Sequence, residues 1–147
     1  MDDDNQGLRE LVGWLERSGP DEWHRTALTF NWDAGLKVLE WIVSQPDCDR
    51  GTAIAVEAIP GWASETVGLL RLICERWAAG AYQNYRFSPI FADHVQSFAI
   101  DGSRIPWTVP ADLAQPEIKG ERLDTSGYCE GYSPALIEDL DVRGIPF

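Results

Sequence analysis

Cysteine and histidine are scarce in this chain, with three Cys and two His among 147 residues. Cys48, Cys74 and Cys129 form no Cys-x-x-Cys pair, and any one bridge leaves a thiol over. That excludes the disulfide framework of a small secreted scaffold and fits reduced thiols, packed as small hydrophobes, in a cytoplasmic protein. His24 and His94 lie in no metal-spaced motif, so no metal or cofactor is expected. Positive charge is short as well: 12 Lys and Arg face 24 Asp and Glu, for a formal net charge of −12. Such a surface repels phosphate backbones and anionic lipid, which turns the expectation from nucleic acid and membranes towards a protein partner with a basic surface. No apolar run approaches the roughly 20 residues that span a bilayer. The first residues, MDDDNQ, have no cationic or apolar leader character. Gly-x-Ser-x-Gly, the phosphate-binding Gly-rich loop and a Cys with a recognisable His partner are all missing, which removes the usual nucleophile contexts.

What is present is apolar enough to fold, at 44% hydrophobic residues with seven Trp. A single domain spanning 1–147 is expected, all-α, built from about five helices in antiparallel hairpins over residues 4–79 and wrapped by a proline-rich, mostly irregular segment over 80–147. Leu8, Leu11, Val12 and Leu15 share one face of a first helix that ends at Ser18-Gly19. Pro20 starts the second, with Ser18 and Asp21 at capping-box-like spacing. A third is predicted from about Trp32 to Ser44, stopped by Gln45-Pro46. The fourth begins at Asp49 and closes before Pro60, and the fifth runs from about Ser64 to Ala79. The third and fourth should form a hairpin about Gln45-Pro46-Asp47.

Beyond Gly80 lie six of the nine prolines. A short helix over Phe87–Phe98 and a last one from Ser133-Pro134 to about Asp141 are the expected regular elements. Between them, Ile105, Trp107, Val109, Leu113 and Ile118 should dock on the helices. The run Ala81–Phe87, mixing aromatics with Arg86, reads as a packed corner against so acidic a whole.

Two Asp-x-Gly triplets, Asp33-Ala34-Gly35 and Asp49-Arg50-Gly51, each open an apolar run. An Asp at the start of a helix accepts from orphan backbone N–H groups and meets the positive end of the helix dipole, so capping accounts for both. Glycine inside a helix costs about 1 kcal/mol relative to Ala, so Gly35 and Gly51 should each admit a close approach by another backbone or a ring. The alternative makes Asp33, Asp49, Glu40 and Glu57 a convergent acid/base set.

The segment Phe30–Ala53 resembles the core motif of a bacterial domain family of unknown function, which reads approximately Asn-Trp-Asp-x-Gly, an apolar helix, then Pro-x-Cys-Asp-x-Gly-Thr-Ala. Asn31, Trp32, Asp33, Gly35, Pro46, Cys48, Asp49, Gly51, Thr52 and Ala53 carry the resemblance. It implies an all-helical domain and supplies no reaction.

Two functions follow as expectations. One is a small acidic protein-binding module, most concretely a cytoplasmic immunity protein or inhibitor that masks a basic toxin. Its binding surface would join the aromatic anchors Tyr128 and Tyr132 to the carboxylates Glu138, Asp139 and Asp141. The other is a small hydrolase or other small-molecule enzyme using helix-terminal carboxylates in a pocket.

Overall fold

The computed structural model describes residues 6–31, 35–57, 64–90 and 107–146. Among them are seven helices: α1 (Gln6–Glu16), α2 (Pro20–Thr29), α3 (Lys37–Val43), α4 (Arg50–Glu57), α5 (Ser64–Ala78), α6 (Ala111–Ala114) and α7 (Pro134–Arg143). These residues contain no strand, only isolated bridges at Phe87–Glu121 and Cys129–Tyr132. The all-α class expected from the sequence is the class observed.

α4 is the axis of the fold. Gly51, Thr52, Ala53, Ile54, Val56 and Glu57 are all buried, as a helix covered on every side must be. It packs most extensively on α2, and also on α3 and α5, while α1 lies against α3 and α7. α1 buries Leu11 and Leu15 at i, i+4 spacing, and α5 contributes Leu69, Leu70, Ile73, Cys74 and Trp77. Leu113 of α6 and Leu136 and Leu140 of α7 close the same core.

Local chemistry decides where these helices begin. At α7 the sequence reading holds: the Ser133 hydroxyl accepts from the Leu136 N–H, Pro134 follows in the first turn, and the helix runs to Arg143, two residues beyond the expected Asp141. At α2 the cap differs. Gly19 occupies the cap with no side-chain bond, because the Ser18 hydroxyl instead donates to the Trp14 carbonyl at 2.7 Å and closes α1. α3 starts at Lys37, later than the expected Trp32, with Leu36 at the cap. Gly35 therefore precedes the helix, and its φ of +108°, a conformation L side chains rarely adopt, is what requires glycine there. Trp32 and Asp33 lie outside the described residues, so the reading of Asp33 as a cap lies outside them too. Phe87–Ile90 are not helical, and the remainder of the expected Phe87–Phe98 helix is outside the described residues.

Residues 81–90 form a strap across α3 and α4. The Tyr82 hydroxyl donates to the Val43 carbonyl at 2.8 Å, the Arg50 N–H to the Asn84 carbonyl at 2.7 Å, and Arg50 Nε to the Tyr82 carbonyl at 3.2 Å. Arg50 also stacks its guanidinium 4.8 Å from the centre of the Trp77 ring, whose indole N–H donates to Asp112. The expected aromatic corner is this strap, with Tyr82 and Phe87 fully in the core.

Candidate functional site

Asp49 is 2% exposed, and both of its carboxylate oxygens accept from main-chain donors. Oδ2 takes the Gly51 N–H at 2.9 Å, the bond of a helix cap, and the Phe87 N–H at 3.1 Å; Oδ1 takes the Arg86 N–H at 2.7 Å. The residue thus caps α4 and holds the strap at the same time. Hydrogen bonds to a charged group contribute about 1.5–3 kcal/mol each, so this carboxylate is well compensated for its burial.

Gly51 makes the approach possible. A Cβ built there would stand 1.8 Å from the Phe87 carbonyl oxygen, far inside any contact the backbone tolerates. The close approach expected at Gly51 is therefore real, and the visitor is the strap's main chain, whereas among the described residues nothing stands within 4 Å of a Cβ built at Gly35. On the strap's other side Gly120, at φ +103°, brings its own Cα against Arg86, Phe87 and Ser88, where a Cβ would meet backbone at 2.8–2.9 Å. The Ser88 N–H donates to the Glu121 carbonyl at 2.8 Å and the Glu121 N–H to the Arg86 carbonyl at 2.9 Å. Residues 86–88 are clasped between two glycines.

His24 completes the socket from α2. It is fully buried, with Nε2 2.7 Å from the Ser88 carbonyl and Nδ1 2.8 Å from the Thr52 hydroxyl, and its ring lies 5.2 Å from that of Phe87. A carbonyl only accepts, so Nε2 carries the proton and Nδ1 accepts from Thr52. Burial pulls its pKa down to about 4, against the opposing pull of the Ser88 bond and of nearby Asp49, so the imidazole is neutral at ordinary pH. Sequence reasoning weighed His24 only as a metal ligand. The described residues hold no cluster of His, Cys, Asp and Glu suited to a metal ion.

The other described motif residues make separate contacts. Asn31 donates to Glu130 at 3.3 Å. Pro46 is exposed in the α3–α4 connection, and Cys48 and Ala53 are buried. Cys48 and Cys74 meet the expectation of packed thiols, and burial raises the pKa of both. Cys129 departs from it, being exposed beside a tight turn in which Glu130 and Gly131 adopt φ of 51° and 90°. Of the acid/base set, Asp49 is committed to backbone donors, Glu40 is exposed, and Glu57 is buried at the far end of α4.

The residues expected to bind a partner separate into two groups. Tyr132 is 4% exposed and belongs to the core, and Tyr128 is half-buried with its hydroxyl on Glu22. Burial pushes the Tyr132 phenol up to about 12. The Tyr128–Glu22 bond ties residues 128–132 to α2, where the Thr26 hydroxyl also donates to the Gly131 carbonyl at 2.9 Å. Glu138, Asp139 and Asp141 are exposed on α7. Asp139 pairs with Arg143 at 2.6 Å, and Arg143 reaches Glu10 of α1 at 2.9 Å. Next to them Val142 is 81% exposed, and a shallow groove of about 500 Å³ runs between Asp141, Gly144, Ile145 and Pro146. A smaller recess of about 320 Å³ lies between Leu28, Ile90 and residues 122–126.

The described residues are all-helical in class, and Asp49 and His24 bind the chain's own backbone. A family model described as a domain of unknown function (DUF4274) matches residues 18–56, from the end of α1 through α2 and α3 into α4. That stretch contributes His24, Asp49, Gly51 and Thr52 to the socket, whereas Arg86, Phe87, Ser88 and Gly120 lie beyond it. No curated protein and no solved structure matches the chain. No described helix is long and apolar enough to cross a membrane.

Proposed function

We propose that the protein is a small acidic binding module that masks a protein partner with a basic surface, in the manner of a cytoplasmic immunity protein or toxin inhibitor. The carrying observation is the end of α7, where Glu138, Asp139, Asp141 and Val142 are exposed and Asp141 lines a shallow groove with Gly144, Ile145 and Pro146. The C-terminus of a helix carries partial negative charge, so a Lys or Arg entering the groove meets Asp141 and the helix end together while its methylene stem lies on the apolar floor. The net charge of −12 adds long-range attraction for the same class of partner. Of the carboxylates in the enzyme alternative, Asp49 has both oxygens occupied by main-chain donors.

Association kinetics test the proposal, using a basic partner recovered from the host with the full chain as bait. Reversing Glu138, Asp139 and Asp141 to Lys should slow association by at least tenfold and flatten its salt dependence. An association rate indifferent to both salt and the reversals would contradict it.

A further inference from the structure

Two buried side chains fasten residues 86–88 to the helices from different directions. Asp49, at the start of α4, accepts from the Arg86 and Phe87 N–H groups at 2.7 and 3.1 Å, and His24 of α2 donates to the Ser88 carbonyl at 2.7 Å. Thr52 joins the two. It stands one turn along α4 from Asp49, whose carbonyl accepts the Thr52 N–H at 3.1 Å, and its hydroxyl donates to His24 Nδ1 at 2.8 Å. A carboxylate and an imidazole, 2% and 0% exposed, therefore share one dry neighbourhood. Neither is directed at the other, because both ring nitrogens and both carboxylate oxygens already bond elsewhere.

We propose that acid releases residues 86–88 through an exchange of partners, in which a protonated His24 takes the Asp49 carboxylate that the Arg86 and Phe87 N–H groups hold in the closed form. The closed form has no place for a second ring proton, since Nδ1 is the acceptor of the Thr52 hydroxyl and the ring is fully buried. Burial accordingly pulls the His24 pKa down to about 4; the Ser88 bond and the Asp49 charge pull it the other way, and Arg25 adds to the fall. Opening relieves the burial and keeps the carboxylate: the imidazolium meets water, and Asp49, freed of the two strap N–H groups, remains beside it. Asp49 from α4 and Arg25 from α2 itself are the described charges acting on His24. On the strap, Arg86 lies over the Phe87 ring, 4.9 Å from its centre, and Glu121 meets the strap through its main chain.

The open form thus binds its proton at or above the ordinary pH of 6.5 and the closed form only near pH 4, so opening is favoured as pH falls through that window. Complete unfolding separates His24 from Asp49 and lacks their pairing. Falling pH therefore favours release of the strap over loss of the whole fold. Release uncovers the Phe87 ring, 2% exposed in the closed form, and the Asp49 carboxylate.

Amide hydrogen exchange of the full chain at pH 7 and pH 5 tests the release. Expressed as protection relative to the intrinsic rate at each pH, Arg86 and Phe87 should match the slowest core amides at pH 7. At pH 5 they should fall below them by about tenfold, the factor expected when a carboxylate pairs with an imidazolium. In His24→Gln, which has no titrating ring, the ratio of strap to core protection should be the same at both pH values. Strap and core protection falling together in the unsubstituted chain would overturn the proposal, because acid would then only unfold the whole protein. A second readout needs no variant. In protein carrying ¹⁵N-labelled histidine, His24 should be the neutral Nε2–H form at pH 7, and a ring protonated at Nδ1 would overturn the proposal by removing the acceptor that keeps the closed form neutral.

Discussion

Asp49 and Glu57 stand at opposite ends of one helix, and each is almost wholly buried. Asp49 sits at the N-terminal end, where the dipole favours a negative charge, and receives three main-chain N–H groups. Glu57 sits at the C-terminal end, where the dipole opposes the same charge, and its Oε1 receives none. Both carboxyls are buried, and they differ in partner supply and in position on the helix. One end of α4 is a socket closed by main-chain donors; at the other, burial raises the pKa of the Glu57 carboxyl.

The sharpest way to break this contrast is at the socket's glycine. Gly51→Ala places a methyl on the Phe87 carbonyl, and neither backbone can give way without breaking the Asp49 bonds. The expected loss is above about 4 kcal/mol, in the exceptional class of single substitutions, read as loss of cooperative unfolding at 25 °C. Asp49→Ala follows at about 3–4 kcal/mol, because it leaves the Arg86 and Phe87 N–H groups stranded; urea unfolding at pH 7 measures it. If it cost no more than an exposed helix cap, about 1 kcal/mol, the strap would not depend on Asp49.

Acid sharpens the contrast from the other side. His24 folds with a pKa of about 4 against 6.5 for the free side chain, so its contribution is complete above pH 6.5 and is lost as pH falls towards 4. A loss on the order of 3 kcal/mol over that window is expected, and it should vanish in His24→Gln. Glu57 runs the opposite way, so stability should peak in weakly acidic solution. The smallest effect is expected far from α4: Arg143→Ala removes the pairs with Glu10 and Asp139, all partly solvated, and the urea midpoint should stay within error of the unsubstituted chain.

The legible parts of this fold are those in which cause and effect lie within a few residues. Ser133-Pro134 announces α7, and Asp49-x-Gly51 announces a cap, because both act on the next turn of chain. Gly51 even shows that something approaches closely. What approaches was not readable, since Phe87 lies 38 residues from Asp49 and pairs through backbone groups that every residue carries. The bridge to Glu121 is a single isolated pair and leaves no alternating pattern. His24 was unreadable for a related reason, its partners lying 28 and 64 residues away. Tyr132 resembled a surface anchor because acidic neighbours surround it in sequence, yet its ring turns into the core while Glu130 stays out.

The most direct test of the socket is amide hydrogen exchange at Arg86 and Phe87 in the unsubstituted chain and in Asp49→Asn at pH 7. Both amides should exchange near the global unfolding rate in the former and at least a hundredfold faster in the latter, with α1 and α7 amides changed far less. Equal protection of Arg86 and Phe87 in the two proteins would contradict the socket.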